Sequence, residues 1–183
     1  VSLPALQDFL GRRAPGRSPL VTARREADIP RFLSGIKDGV TTGEDITAII
    51  ENTDVKSNDY QSLTTVPRPG HADYTAYVKY GRIEPGGGPF SGRLTAPLCV
   101  AGGLCLQILR RRGITVLSRI LSIGEVDDRG DLTAPTDEKA FPVVDDARGE
   151  AMARAILQAK AQGDSLGGVI QCRVLGLPAG LGG

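Results

Sequence analysis

The sequence predicts a mixed α/β or α+β domain rather than a doubly wound nucleotide-binding fold. Segments of helical and strand periodicity alternate irregularly along its 183 residues, with connections of varying length, and no G-x-G-x-x-G opens a helix after a strand. Hydrophobic residues make up 40% and charged residues 23%; with four Phe, four Tyr and no Trp, the core must come from Leu, Ile, Val and Ala. Lys+Arg total 22 against 21 Asp+Glu, so the net charge of +1 excludes a polybasic nucleic-acid arm or an acidic tail as the dominant feature.

Each element has a local reason. Ser2 is placed to cap a helix over 3–10, with Pro4 tolerated in the first turn, Leu3, Leu6 and Leu10 on one face and Gly11 ending it. An arginine-rich stretch follows (Arg12, Arg13, Arg17, Arg24, Arg25), and then Asp28 is read as the cap of a second helix through Phe32 and Leu33 to Gly35. Residues 45–51 (DITAIIE) read as a strand, 52–69 as a polar loop, 71–80 as a helix and 81–92 as a glycine loop. A largely buried helix is expected over 97–112, carrying Leu98, Ala101, Leu104, Cys105, Ile108 and Leu109 and stopped by Gly113. Then come a strand over 114–123, a solvated excursion over 125–150 with nine acids and three bases, an amphipathic helix over 146–162 and a last strand over 169–177.

All four tyrosines (Tyr60, Tyr74, Tyr77, Tyr80) and the only histidine, His71, fall within a short stretch that ends where the glycine loop begins. Such side chains bury an apolar body and present a polar tip, as a cofactor pocket requires; packing of a half-buried helix is the other account. In the loop Glu84-Pro85-Gly86-Gly87-Gly88-Pro89-Phe90-Ser91-Gly92-Arg93, consecutive glycines let backbone N–H groups converge on an anion, with Arg93 as a bidentate fork; a plain surface turn is the alternative. Arginines outnumber lysines 17 to 5, which suits substrates with several carboxylates or phosphates. No metal site is expected: Cys99 and Cys105 point to different helix faces, Cys172 is distant, and one histidine completes no zinc spacing. A thiol or serine triad would need that same single histidine and is set aside. No run of 18 apolar residues occurs, so no membrane span is expected, and three scattered cysteines suit free thiols in the cytoplasm. A chain that opens on Val1 and closes on Gly183 reads as a piece of a longer one.

The string Arg68-Pro69-Gly70-His71-Ala72-Asp73-Tyr74-Thr75, followed by Lys79-Tyr80-Gly81, resembles chorismate synthase. Colinear stretches agree: Arg12-Arg13-Ala14-Pro15-Gly16, Arg24-Arg25-Glu26, Leu33-Ser34-Gly35, Thr41-Thr42-Gly43, Asn52-Thr53-Asp54 with Ser57, Asp59 and Tyr60, 163–168 (GDSLGG) and 177–182 (LPAGLG). The resemblance runs the whole length. It implies an α+β fold of helices sandwiched between antiparallel sheets, here as a single partial domain over 1–183, assembled as a homotetramer. It also implies anti-1,4-elimination of phosphate from 5-enolpyruvylshikimate 3-phosphate with reduced FMN, NADPH being the reductant where the enzyme reduces its own flavin. By their places in the motifs, His71 is the catalytic residue and also touches flavin, Arg12, Arg13 and Arg93 hold substrate, and Ser91 and Arg68 hold cofactor. Partners are then a small-molecule substrate, with neither nucleic acid nor membrane.

The chain also departs from the pattern. The family's R-S-S-A-R-E-T-A loop here reads Pro89-Phe90-Ser91-Gly92-Arg93-Leu94-Thr95-Ala96, so Pro89 and Phe90 are left with backbone contacts to flavin at most. The family's leading G-E-S-H-G motif does not precede Val1, and its C-terminal part does not follow. The expectation is a central portion that is inactive alone and binds flavin weakly. The rivals are a folded remnant with residual anion binding and a nucleotide-phosphate binder using the glycine loop. The functional reading requires His71, the triple glycine and the Arg12–Arg13 pair to converge on one cavity.

Overall fold

The computed structural model describes residues 1–16, 18–20, 27–51, 66–83 and 85–181. Arg17, Arg24, Arg25, Glu26 and the segment with Asn52, Asp59 and Tyr60 lie outside the described residues, so the motifs placed there gain no structural account. The chain divides into two compact units, Val1–Leu104 and Cys105–Gly183.

In the first unit, helix α1 (Leu3–Arg13) starts as expected: the Ser2 hydroxyl accepts the Ala5 N–H at 3.3 Å. It does not stop at Gly11. Gly11 is buried within the helix, which ends at Ala14 in an extended conformation (ψ 134), the one a residue before proline adopts. Arg12 and Arg13 therefore occupy the last turn of α1, where cations complement the helix dipole.

The helix expected after Asp28 is a strand. Pro30 forbids a helical Ile29, and Phe32 and Leu33 suit a pleated surface better than a helix turn. Strand β1 (Pro30–Ser34) pairs antiparallel with β4 (Thr47–Ile50), Pro30 opposite Ile50 and Phe32 opposite Ala48, with a bulge before Ser34. Between them β2 (Ile36–Lys37) and β3 (Val40–Thr41) form a hairpin that the sequence reading missed. Asp38 and Gly39 turn it at φ 49 and φ 76, the conformation of an Asp-Gly type I′ turn. Phe32, Ala48, Ile50 and Ile36 pack on a core of Leu6 and Leu10 from α1 with Val100 and Leu104 from a later helix.

Gly35 sits at φ +78, and a Cβ there would lie 2.5 Å from the Ile46 Cα and 2.7 Å from the Asp45 carbonyl oxygen. Left-handed backbone and a clash with main chain act together. Gly35→Ala is expected to cost about 3 kcal/mol, read as a lower urea midpoint at unchanged slope.

Helix α2 (Asp73–Tyr80) is shorter at its start than expected, so His71 precedes it in a turn closed by the His71 N–H donating to the Arg68 carbonyl at 3.3 Å. Gly81 ends it at φ 73. The glycine loop is two 3₁₀ turns, Pro85–Phe90 and Gly92–Leu94, which lead into α3 (Thr95–Arg111). That helix is not largely buried: Ala96, Val100, Gly103 and Leu104 form one buried stripe, while Leu98 is 71% exposed and Ile108 51%. Gly92–Arg111 spans 20 residues and is apolar enough by composition to cross a membrane, closer to that limit than the sequence reading allowed. Packing of its buried stripe on α1 supplies a different reason for the apolarity.

In the second unit, β5 (Thr115–Ile123) is the central strand, flanked antiparallel by β6 (Val126–Asp127) and β7 (Gly168–Leu175). Helix α4 (Asp146–Ala161) is capped by the Asp145 carboxylate, which accepts the N–H groups of Ala147 and Arg148. Its buried residues, Gly149, Met152 and Ala159, recur at helical spacing. The connection over 125–150 is not simply solvated, because Asp128, Leu132, Thr136 and Val143 are all buried. Asp128 is fully enclosed. It accepts N–H groups from Val144 at 2.6 Å and from Asp145 and Gly130 at 3.3 Å each, and faces the buried Arg119 at 3.3 Å. Burial pushes its carboxyl up, but those three N–H groups and Arg119 outweigh burial and hold it below the ordinary carboxylate range. Every strand pairing described is antiparallel, as the α+β expectation requires.

Candidate functional site

The turn before α2 carries a dense polar cluster. Pro69 and Gly70 fold Arg68 back over Asp73, Gly70 adopting φ 71 to close the turn. The Asp73 carboxylate, buried at the first position of α2, takes four donors. Oδ2 accepts the Arg68 backbone N–H at 3.1 Å and Nε–H at 2.7 Å; Oδ1 accepts Arg68 Nη2–H at 2.9 Å and lies 2.6 Å from His71 Nδ1. Arg68 Nη2 is also 3.2 Å from each His71 ring nitrogen. Hydrogen bonding from the Arg68 side chain holds the Asp73 carboxyl well below the usual carboxylate range; burial opposes this, while the Arg68 backbone N–H and the charges of Arg68 and His71 assist it.

A lowered carboxyl pKa makes the cluster acid-labile. Its contribution is fully present above the ordinary Asp value of 3.8 and is lost as pH falls from there through the folded value. The stability gap between wild type and Asp73→Asn is therefore expected to be constant from pH 5 to 7 and to close below about pH 4, measured by urea unfolding at each pH.

A second cluster joins the end of α1 to the glycine loop. Arg13 Nη1 pairs closely with the buried Asp28 carboxylate, and Arg13 Nε–H donates to Thr95 Oγ1 at 3.1 Å. The Thr95 hydroxyl in turn donates to the Gly92 carbonyl at 2.8 Å. Ser91 caps the second 3₁₀ turn, its Oγ accepting the Arg93 N–H at 3.3 Å. Arg12 is exposed and its guanidinium sits 5.6 Å over the Phe9 ring. Phe90 stacks at 6.4 Å on Tyr80, so the side chain standing in the departing part of the loop packs against α2. Tyr74, Tyr77 and Tyr80 are all more than half exposed, and Tyr60 lies outside the described residues.

The chain has clear relatives among known proteins. A family model described as chorismate synthase matches residues 1–183. The chain belongs to the chorismate synthase family. It is 38% identical over 203 residues to the chorismate synthase of Lancefieldella parvula, covering 100% of this chain and 53% of that one. It is 40% identical to that of Korarchaeum cryptofilum and 41% to that of Bacteroides thetaiotaomicron, each alignment covering 97% of this chain and 51% of the relative. A crystal structure of chorismate synthase superposes with a TM-score of 0.72 at 24% identity, covering all of this chain and 53% of that one, and so shows the same fold. The chain spans about half the length of the curated relatives it matches.

Against that frame, the structure brings Arg68 and His71 together, and brings Arg13 to the segment of Ser91 and Arg93 through Thr95. It engages the forks of Arg13 and Arg68 with the carboxylates of Asp28 and Asp73. Neither aspartate was given a site role from sequence. Asp73 had a signal, standing two residues beyond the only histidine on the same turn. Asp28 had none, because its neighbour Arg13 is distant in sequence and its own φ of 47 is rare for Asp. Among the described residues no group of three or more His, Cys, Asp or Glu side chains is arranged to hold a metal.

Proposed function

We propose that this chain carries part of the site for a carbon–oxygen lyase reaction, the anti-1,4-elimination of phosphate from 5-enolpyruvylshikimate 3-phosphate to give chorismate. The single observation that carries the reading is the Arg68–His71–Asp73 cluster on the R-P-G-H-A-D string of a chain whose whole length matches the chorismate synthase family.

The residues fit reduced FMN. A guanidinium and an imidazole lie side by side, 29% and 27% exposed, so each has an open edge beside a buried carboxylate. Such a pair suits the electron-rich, anionic reduced isoalloxazine, and Arg68, His71 and Ser91 would be the residues that hold the cofactor. When bound, reduced FMN would supply electron density to the allylic system, NADPH being the reductant where the same protein performs that step. His71 exchanges a hydrogen bond or proton at its exposed edge. Arg12 and Arg93, with Arg13 anchoring the end of α1, stabilise the carboxylates and the leaving phosphate. Fixed arginines lose little on reaction because their forks are already oriented. The setting we propose is a cytoplasmic homotetramer acting on a small molecule, with neither nucleic acid nor membrane as partner.

Phosphate release from 5-enolpyruvylshikimate 3-phosphate with reduced FMN, assayed on this chain and on the chain extended to the length of its relatives, tests the reading. We expect turnover in the extended form and none, with weak flavin binding, in the 183 residues alone. Turnover in neither form contradicts the lyase reading and favours a folded chain with anion affinity only.

A further inference from the structure

We infer that Asp73 is the positioning residue of His71: its carboxylate accepts the Nδ1–H, fixes the Nδ1–H tautomer, and leaves Nε2 as the nitrogen that meets cofactor or substrate. The inference deepens the reading above and rests on it for the role of His71, while the tautomer itself follows from geometry alone.

The argument is one of donors and acceptors. His71 Nδ1 lies 2.6 Å from Asp73 Oδ1, and Arg68 Nη2 lies 3.2 Å from both ring nitrogens. Equidistant from the two ring nitrogens, Arg68 Nη2 sits over the face of the imidazole and does not choose between their lone pairs. A carboxylate has only lone pairs, so the ring nitrogen facing it must offer a proton. The Nδ1–H tautomer meets that demand: Nδ1–H donates to Asp73, and the in-plane Nε2 lone pair is directed away from the carboxylate. In the Nε2–H tautomer two lone pairs would confront each other at 2.6 Å.

The carboxylate is rigid enough to impose this choice. Asp73 is only 2% exposed, and Arg68 supplies three of the four groups around it, its backbone N–H, Nε–H and Nη2–H. The charged groups facing His71 are thus Arg68 from the preceding turn and Asp73 from α2. Their opposite signs act on the same ring from two sides. The carboxylate orients the imidazole and supports any positive charge it acquires at Nε2, the division of labour seen wherever an acid holds a catalytic imidazole.

His71 is the only histidine among the 183 residues, so its two ring nitrogens are the only imidazole signals in a 15N-histidine spectrum. Long-range 1H–15N correlation at pH 8 on this chain is expected to show Nδ1 protonated and Nε2 bare. Asp73→Asn is expected to move the equilibrium to the Nε2–H form that free histidine prefers, while backbone amide spectra stay otherwise unchanged. Asp73→Glu is expected to restore part of the Nδ1–H population. A wild-type spectrum with Nε2 protonated, or a folded Asp73→Asn chain that keeps Nδ1–H, overturns the inference. Should Asp73→Asn fail to fold, the wild-type spectrum decides alone. Failure of the lyase reading shows separately, as absence of phosphate release from the extended chain with the tautomer intact.

Discussion

Asp128→Asn is expected to destabilise the second unit by about 3–5 kcal/mol, the cost of stripping one partner from a buried ion pair. Asp128 is fully buried and Arg119 is 5% exposed, so the guanidinium left behind has no route to water. Arg119 Nε–H donates to Gln171 Oε1 at 2.7 Å, but its Nη1 makes no hydrogen bond beyond facing Asp128. Asparagine keeps the shape and loses the charge, and its amide N–H₂ would confront one of the three backbone N–H groups that the carboxylate now accepts. Those N–H groups belong to Gly130, Val144 and Asp145, so the substitution also loosens the start of α4, which Asp145 caps. The neighbouring Asp127→Asn is the control. Asp127 and Arg129 form an exposed pair at 3.1 Å, and its loss is expected to cost at most ~0.5 kcal/mol. Urea unfolding of both variants settles the matter; an Asp128→Asn cost below about 1 kcal/mol contradicts the account.

In any form of the protein that turns over, His71→Asn is expected to lower kcat by about 10²–10⁴-fold, the range for losing a positioned proton-transfer group. The Michaelis constant for substrate is expected to change little, because the arginines proposed to hold the anionic groups stay in place. Asparagine is chosen because its amide reaches toward Asp73 and preserves the turn, so a loss of activity reports on the imidazole and not on folding. Phosphate release under saturating reduced FMN gives both constants. A variant with unchanged kcat removes His71 from the chemistry and leaves the Arg68–Asp73 pair as a structural clamp.

Local chemistry was readable wherever one residue decides a conformation. Ser2 and the start of α1, Gly81 and the end of α2, and the strand over β5 all follow from caps, left-handed glycines and β-branched runs. Where two local signals compete, reading along the chain went astray. Asp28 looked like a helix cap, yet Pro30 two residues later and pairing with β4 made the segment a strand, and the Asp-Gly turn at 38–39 was passed over in consequence. Gly11 looked like a helix stop, but burial against the core let α1 run on to Arg13, ahead of Pro15. The excursion over 125–150 looked solvated because nine acids dominate its composition, and composition carries no information on which single acid is enclosed.

The amino-acid order alone determined the family, through motifs spread over the whole length, and with it the residues proposed for the site: His71, Arg12, Arg13, Arg68, Ser91 and Arg93. Only the folded chain decided which acids answer which arginines. Arg13 of α1 meets Asp28, just before β1, and Thr95 at the start of α3, Arg119 meets Asp128 across β5 and the connection that follows, and Arg68 turns onto Asp73 beside His71. The reason is physical: a cap or a turn is fixed by neighbours within a few bonds, whereas an ion pair forms only after chain entropy has been spent bringing distant segments together, and burial then selects the partner.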